Sequence, residues 1–441
     1  MNARVKITIV LSLICLVVLG GFFYWYKHRP APVVAVQYKT AEEKKDIYVR
    51  FDMEVYDKIL QNYWDKIKDE DLASLFKLSL AKAASVSTET INLPTKDRAG
   101  TVKMLDNAIS NLKDDSAKKS MALNTIIVAL YNLQPAGRNG LLSSKQEIAL
   151  RENVSNIDSS KNLYTDLGLQ KGATKTEVDK TFQAQKAILE KDKSEEAKSK
   201  LKELAYARDV LTKDETKALY DTAQIEPTIF THIVGGTTLY IDMSKVSPTT
   251  FDEFGKAIVA AVKNSALDSM VLDLRGNIGG SLDLAQYFLG LFLGKDQYAF
   301  DLYRQGDFQV QRTTFSKISE LKQFREIAVL SDNATQSTAE LLTAAFKHFN
   351  IARVVGTTTK GWGTVENTFS LDTVIDPNEK YSLFLVHSLT LRDDNQPIEG
   401  RGVDPDVDIK NPDWKSQLSK FFNSKNLINA LAQIASQPVV R

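Results

Sequence analysis

Cysteine is almost missing from this chain: the only one, Cys15, lies inside an apolar N-terminal stretch. An intrachain disulfide framework is therefore excluded, and so is a cysteine-based metal site. The rest of the chain could sit in an oxidising compartment without mispairing. Excess charge is missing as well. The 56 basic and 55 acidic side chains leave a formal charge of +1, which gives no electrostatic footprint for a nucleic acid and no pull on a strongly acidic substrate. Internal repeats and long low-complexity stretches are absent, and no cofactor or metal is expected. What remains, 43% hydrophobic and 25% charged over 441 residues, is ordinary globular composition, with length for two to four domains at ~100–200 residues each.

One long apolar run stands out. Ile7 to Tyr26 carries no charge and ends in Phe22, Phe23, Tyr24, Trp25 and Tyr26. That run is long enough for a helix across a ~30 Å hydrocarbon core, with its aromatic end at headgroup level. A cleaved signal peptide is the competing reading, but no convincing small-x-small site follows the run, and Ile14 before Cys15 is too bulky for a lipoprotein cleavage site. The expectation is an uncleaved single-pass anchor over 7–26, after a short flank (1–6) and before a linker (27–45). Arg4 and Lys6 on one side nearly balance Lys27, His28 and Arg29 on the other, so charge alone leaves orientation open.

Beyond the linker the periodicity is helical over 46–160, with Tyr56, Ile59, Leu60 and Tyr63, then Leu72, Leu75, Phe76 and Leu80, at helical spacings. A packed helical region accounts for it. Residues 161–227 have a different signature. Thr174 followed by Glu177 marks a capped helix start, a second helix runs through Phe182 and Ile188, and a third contains Ala207 to Leu211 and leads to Tyr220-Asp221. This small three-helix pattern resembles the J-domain of co-chaperones. The family's His-Pro-Asp loop is replaced by Glu190-Lys-Asp-Lys-Ser-Glu195, which argues against stimulation of a chaperone ATPase and favours a spacer or docking module.

From Thr237 the texture alternates. Strands are expected at Thr238–Asp242, Ser269–Asp273, Ile327–Leu330, Ala352–Val355 and Ser382–Leu391, with helices at Phe251–Val262, Leu282–Leu293 and Thr338–Phe349. The alternation predicts an α+β or mixed α/β core over 228–410, followed by a helical tail, 411–441. Three segments at strand ends carry the chemistry. Asp273-Leu-Arg-Gly-Asn-Ile-Gly279-Gly280 brings backbone N–H groups to a turn; alone it is a turn. Asn333-Ala-Thr-Gln-Ser337-Thr338-Ala339-Glu340 sets a serine at a helix start, where the dipole favours an oxyanion; alone it is an N-cap. Gly356 to Glu366, with Lys360, Gly361, Trp362 and Gly363, is by itself a glycine-rich loop or hairpin.

Taken in order, and with Ile398 to Asp406, these segments resemble the core of the C-terminal processing (tail-specific) peptidases over roughly Thr237 to Ile409. The stretches Phe51–Ala83 and Leu133–Glu147 resemble that family's N-terminal part. The resemblance implies a serine peptidase with a Ser–Lys pair, acting on unfolded or C-terminal tails of polypeptides. It implies Ser337 as nucleophile, the amides of Thr338 and of Gly279 or Gly280 as oxyanion hole, and Glu366 where many relatives place a lysine-orienting glutamine. It also implies an extracytoplasmic soluble part.

Two departures qualify it. The family's PDZ domain is replaced by the J-like segment. The lysine is displaced: aligned without gaps, its position holds Trp362, an indole that donates but cannot accept a proton. A two-residue shift recovers Lys360-Gly361, at a cost of ~6.6 Å of extended chain. A histidine substitute would have to be His232 or His387, which could converge on Ser337 in space, though a lone histidine is more often structural. His348 lies eleven residues along the same helix as Ser337, ~16 Å away, and His232 and His387 are remote in sequence. A membrane-anchored serine endopeptidase using Ser337 and Lys360 is the first reading. A catalytically inactive relative that binds polypeptide segments or scaffolds a membrane complex is the second.

Overall fold

The computed structural model describes residues 45–392, 394–437 and 439. The expected anchor, 7–26, lies outside the described residues; among those described, no helix is long and apolar enough to cross a membrane.

The N-terminal region begins with α1 (Ile47–Asn62), α2 (Asp69–Ala83), α3 (Arg98–Ser110) and α4 (Asp115–Asn132). Asp46 caps α1 by accepting from the Tyr48 amide at 3.1 Å, and Asp114 caps α4, each taking up amides that the first turn leaves without an intrahelical partner. Phe51, Val55, Ile59, Leu72, Phe76, Leu80, Ile126 and Leu130 form one core, as their i, i+4 spacing predicts. The region also supplies β1 (Gly140–Ser143), a strand within a stretch that reads as helical in sequence, and then α5 (Ser144–Val154).

Residues 161–227 fold as a helical unit with α6 (Leu163–Asp166), α7 (Lys175–Leu189), α8 (Glu195–Thr212) and α9 (Asp214–Ala223). Thr174 and Glu177 form the expected capping box. Tyr164, Val178, Leu204, Ala207 and Leu211 fill a core of its own. Its entry and exit meet in a neck, where Ile157 bridges Ile225 and the Glu226 amide donates to Asn156 O at 3.1 Å.

The remainder is a mixed core with two sheets. One contains β2 (Ile229–Val234), β3 (Thr238–Met243), β4 (Ser269–Asp273), β7 (Glu326–Ser331), β8 (Arg353–Gly356) and β11 (Val407–Asp408), in the order β11-β8-β7-β4-β3-β2. All neighbours are parallel except β2 with β3. Parallel strands need helices on their faces. Here α10 (Thr250–Ala261), α11 (Asp283–Leu293) and α12 (Thr338–His348) cover one face, and α13 (Trp414–Gln417) and α14 (Lys425–Ile434) the other. The strands alternate accordingly: Met270 and Leu272 join the first core, and Val271 the second. Arg275 is buried, donates to Asp273 at 2.6 Å, and donates to the carbonyls of Ile434, Ala435 and Gln437. It thereby ties the end of β4 to the C-terminal end of α14.

The second sheet is antiparallel: β5 (Tyr298–Arg304), β6 (Asp307–Arg312), β9 (Thr364–Ser370) and β10 (Tyr381–Thr390), with β1 added. β10 pairs β9 along one edge, and β1 and β5 along the other.

One buried group has no use in this packing. Asp52, on α1, is fully buried, and neither carboxylate oxygen has a hydrogen-bond partner among the described residues. Burial pushes its carboxyl well above the usual range. Its contribution to stability is therefore complete below the unfolded value of ~3.9 and is lost as pH rises through the folded value. Asp52→Asn should match the parent's melting temperature near pH 4 and exceed it progressively towards pH 8, by ~1–3 kcal/mol of unfolding free energy at the upper end. Thermal melts across that range test it; a pH-independent gap contradicts it.

Candidate active site

Three adjacent parallel strands, β4, β7 and β8, point their C-terminal ends the same way. The crevice at the carboxyl ends of such strands is where open parallel sheets bind ligands. The three motif segments leave from these ends and converge there.

Ser337 stands between β7 and α12 with φ 57° and ψ −129°. For a residue with a side chain, this conformation costs ~1–3 kcal/mol and persists only where the surroundings enforce it. Its amide donates to Glu340 Oε2 at 2.9 Å. Glu340 is fully buried and accepts three more bonds, from the Thr359 hydroxyl, the Gly361 amide at 2.7 Å and the Trp362 amide at 2.7 Å. One carboxylate thus joins the serine turn to the loop after β8. The Ser337 and Trp362 amides share the single oxygen Oε2, so their nitrogens are no further apart than the sum of those two bonds. Burial raises the Glu340 carboxyl above its ordinary value, and its four donors oppose that shift.

The glycine turn packs against the serine. A Cβ on Gly279 would stand 2.7 Å from Ser337 Cβ and 2.9 Å from the Thr338 nitrogen, and one on Gly280 would stand 2.0 Å from Val246 O. Both have positive φ; glycine is required at both positions by contact and by backbone. The Gly279 amide donates to Asn277 Oδ1 at 2.8 Å, so it is not aimed at the crevice. Among the described residues, the Gly280 and Thr338 amides donate to no protein acceptor, and the Thr338 hydroxyl donates to Gly280 O at 3.1 Å. Asn277 also donates to Met243 O and accepts from the Gln336 amide. It fixes the turn against the serine segment, a role that the sequence did not reveal.

The loop after β8 is pinned residue by residue. The Lys360 amide donates to Thr335 O at 2.9 Å. The Lys360 side chain is exposed; its ammonium lies 5.9 Å from the Trp362 ring centroid and makes no ion pair among the described residues. The Trp362 indole donates to Glu366 Oε1 at 3.2 Å, an oxygen that also accepts from the Thr364 hydroxyl. The Arg138 guanidinium lies 3.4 Å from the Trp362 ring centroid and pairs with Glu399 at 3.1 Å, while Glu399 accepts from the Gly363 amide. Burial raises the Glu366 carboxyl. The Trp362 amide is linked to the serine through Glu340, and Glu366 contacts the indole. Arg138 and Glu399 come from distant segments, and nothing local in the sequence points to them.

The histidines stand elsewhere. His232 stacks on Tyr240, centroids 4.4 Å apart, on the sheet face that α14 covers, opposite α12. His348 is in the last turn of α12, against Tyr298 and Phe349. His387 lies at a bulge in β10 with Nδ1 2.9 Å from Ser388 Oγ.

Residues 237–409 match the model of peptidase family S41. A "Probable CtpA-like serine protease" of Staphylococcus aureus (strain N315) is 31% identical over 185 residues, covering 42% of this chain and 36% of that protein. A namesake from Staphylococcus haemolyticus (strain JCSC1435) is 30% identical over 174 residues, covering 40% and 34%. The chain thus spans about a third of the length of the curated relatives it matches. Among solved structures, a photosystem II D1 C-terminal processing protease aligns with TM-score 0.47 at 12% identity, over 82% of this chain and 92% of that one. A lipoprotein from Streptococcus agalactiae aligns at 0.43 and 13%, over 85% and 95%.

If the Glu340 carboxylate holds the turn, an amide cannot replace it, because one of its two ends would present N–H groups to N–H donors. Glu340→Gln should lower unfolding stability by ~1–3 kcal/mol and speed hydrogen exchange at Ser337 and Trp362 together. Unchanged exchange at both amides contradicts the clamp.

Proposed function

We propose that this chain is a membrane-anchored serine endopeptidase acting on unfolded or tail segments of polypeptides. The observation that carries the reading is the strained Ser337 turn, locked beside Gly279 and backed by the Gly280 and Thr338 amides. In the reaction, Ser337 Oγ attacks the peptide carbonyl carbon and Lys360 Nζ takes its proton. The Gly280 and Thr338 amides hold the oxyanion. The lysine then passes the proton to the leaving amine, and water releases the acyl group from Ser337. The Trp362 ring lies 5.9 Å from Lys360 Nζ, and Glu366 orients that ring by accepting from its indole.

A second reading has its own support. The backbone beside Ser337 carries Trp362, and Lys360 is exposed; a protein so built binds polypeptide without cutting it. The full chain incubated with an unfolded protein separates the two. The first reading expects cleavage that falls at least ~10³-fold in Ser337→Ala and in Lys360→Ala, the scale of losing a nucleophile or its base. No cleavage by the folded parent, with cleavage gained in Trp362→Lys, establishes the second.

The uncharged run Ile7–Tyr26 supports anchoring in a cell membrane, with residues 45–437 on the extracytoplasmic face. Alkaline carbonate should leave the chain in the membrane pellet, and protease added outside intact cells whose outer layers are opened should remove the soluble part; release by carbonate contradicts the anchor. The helical unit 163–223 fits a spacer or docking module, and its loop, Glu190 to Glu195, offers nothing from which to expect chaperone stimulation.

A further inference from the structure

Three turns leave the C-terminal ends of β4, β7 and β8, and these strands are neighbours in that order. Ser337 therefore stands between the glycine turn after β4 and the loop after β8. It meets the first through Gly279 and the second through Glu340. On the side of the loop, the Trp362 indole is already engaged by protein: it donates to Glu366 and carries the Arg138 guanidinium.

On the other side stands Ile278. It is 43% exposed and belongs to none of the apolar cores. Both its neighbours are committed. Asn277 is buried, donates to Met243 O and accepts from the Gly279 amide, and Gly279 packs against Ser337. From Leu274 to Ser281, Ile278 is the only exposed residue. Turns ordinarily carry glycine, proline, asparagine, aspartate or serine. A lone exposed isoleucine on an open surface calls for no explanation; this one differs by its place. A Cβ on Gly279 would stand 2.7 Å from Ser337 Cβ, so Gly279 Cα is at most ~4.2 Å from that atom, and Ile278 Cα, one peptide further, at most ~8 Å. In an attack geometry the scissile carbonyl carbon lies ~3 Å from Ser337 Oγ, and successive residues of an extended chain are ~3.4 Å apart. The residues on either side of the scissile bond are then the ones within reach of a side chain rooted so close to the serine.

We propose that Ile278 determines specificity: its side chain packs against the substrate residue adjoining the scissile bond and selects an apolar one. The occupant follows from chemistry. An exposed isoleucine gains by losing water against an apolar partner. It offers nothing to a carboxylate, which would lose hydration there without gaining a hydrogen bond. The inference rests on the peptidase reading and adds to it a preference at one substrate position.

The test uses the full chain and quenched fluorescent peptides built on a site at which that chain cuts casein, with Leu or Glu at the residue on either side of the scissile bond. The parent should show kcat/KM at least ~10-fold higher for Leu than for Glu at one of these positions, the scale of one partly buried apolar side chain. Ile278→Arg, whose charge is fixed, should lower that ratio ~10-fold or more and cleave the Glu peptide faster than the parent does, a gain that a damaged turn does not produce. Ile188→Arg, which adds the same charge at a position 69% exposed on the helical unit, should keep the parent's ratio. A parent without the preference, or a ratio that Ile278→Arg leaves unchanged or that both variants shift alike, overturns the contact and leaves the peptidase reading standing. A folded parent that cuts no casein overturns both.

Discussion

The arrangement of the candidate site depends on one buried carboxylate. Glu340 accepts from Ser337, Thr359, Gly361 and Trp362, and so fastens the turn before α12 to the loop after β8. With the Gln336–Asn277 bond and the packing of Gly279, it holds Ser337 in a backbone conformation that most side chains avoid. A single charge taken out of water is costly unless its lone pairs are filled, and four donors on two oxygens fill them. Local strain at the serine and desolvation at the glutamate are offset by the same bonds.

The glycine turn has a comparable support. Val246 donates to Gly279 O and accepts from the Ser281 amide. Its neighbour Lys245 donates to Asn153 O at 2.8 Å, and Ser244 donates to Thr228 O. Residues 244–246 therefore lie between the neck of the helical unit and the glycine turn. The insert replaces no part of the crevice itself: β4, β7 and β8 all follow it in sequence, and their C-terminal ends assemble the site.

Much of the core was legible in sequence. Ser269–Asp273 is buried on both faces and reads as a short continuous apolar strand, and α12 repeats Leu341, Leu342, Ala345 and Phe346 at helical spacing. The losses have physical causes. β1 is four residues without alternation. The β5–β6 hairpin turns at Gln305-Gly306, both with positive φ, and Gly306 is its one local signal in sequence. β9 begins inside a glycine-rich loop, where local composition speaks for a turn and pairing with β10 decides otherwise. At the site, Ser337, Thr338 and the glycine turn were readable as a motif. The clamp was half-readable, since Ser337 and Glu340 stand at capping-box spacing, but that pattern predicts a cap and not a bond to a loop twenty residues on. Arg138 over Trp362 has no sequence signal, because its cause is tertiary contact alone.

The central claim is that this enforced serine is a nucleophile. Its most direct measurement is covalent labelling of the folded full chain by a fluorophosphonate, followed by mass mapping of the modified peptide. The account predicts one phosphonylated residue, Ser337, with no adduct in Ser337→Ala or after denaturation. A folded chain that stays unlabelled, or that labels equally at other serines, contradicts it.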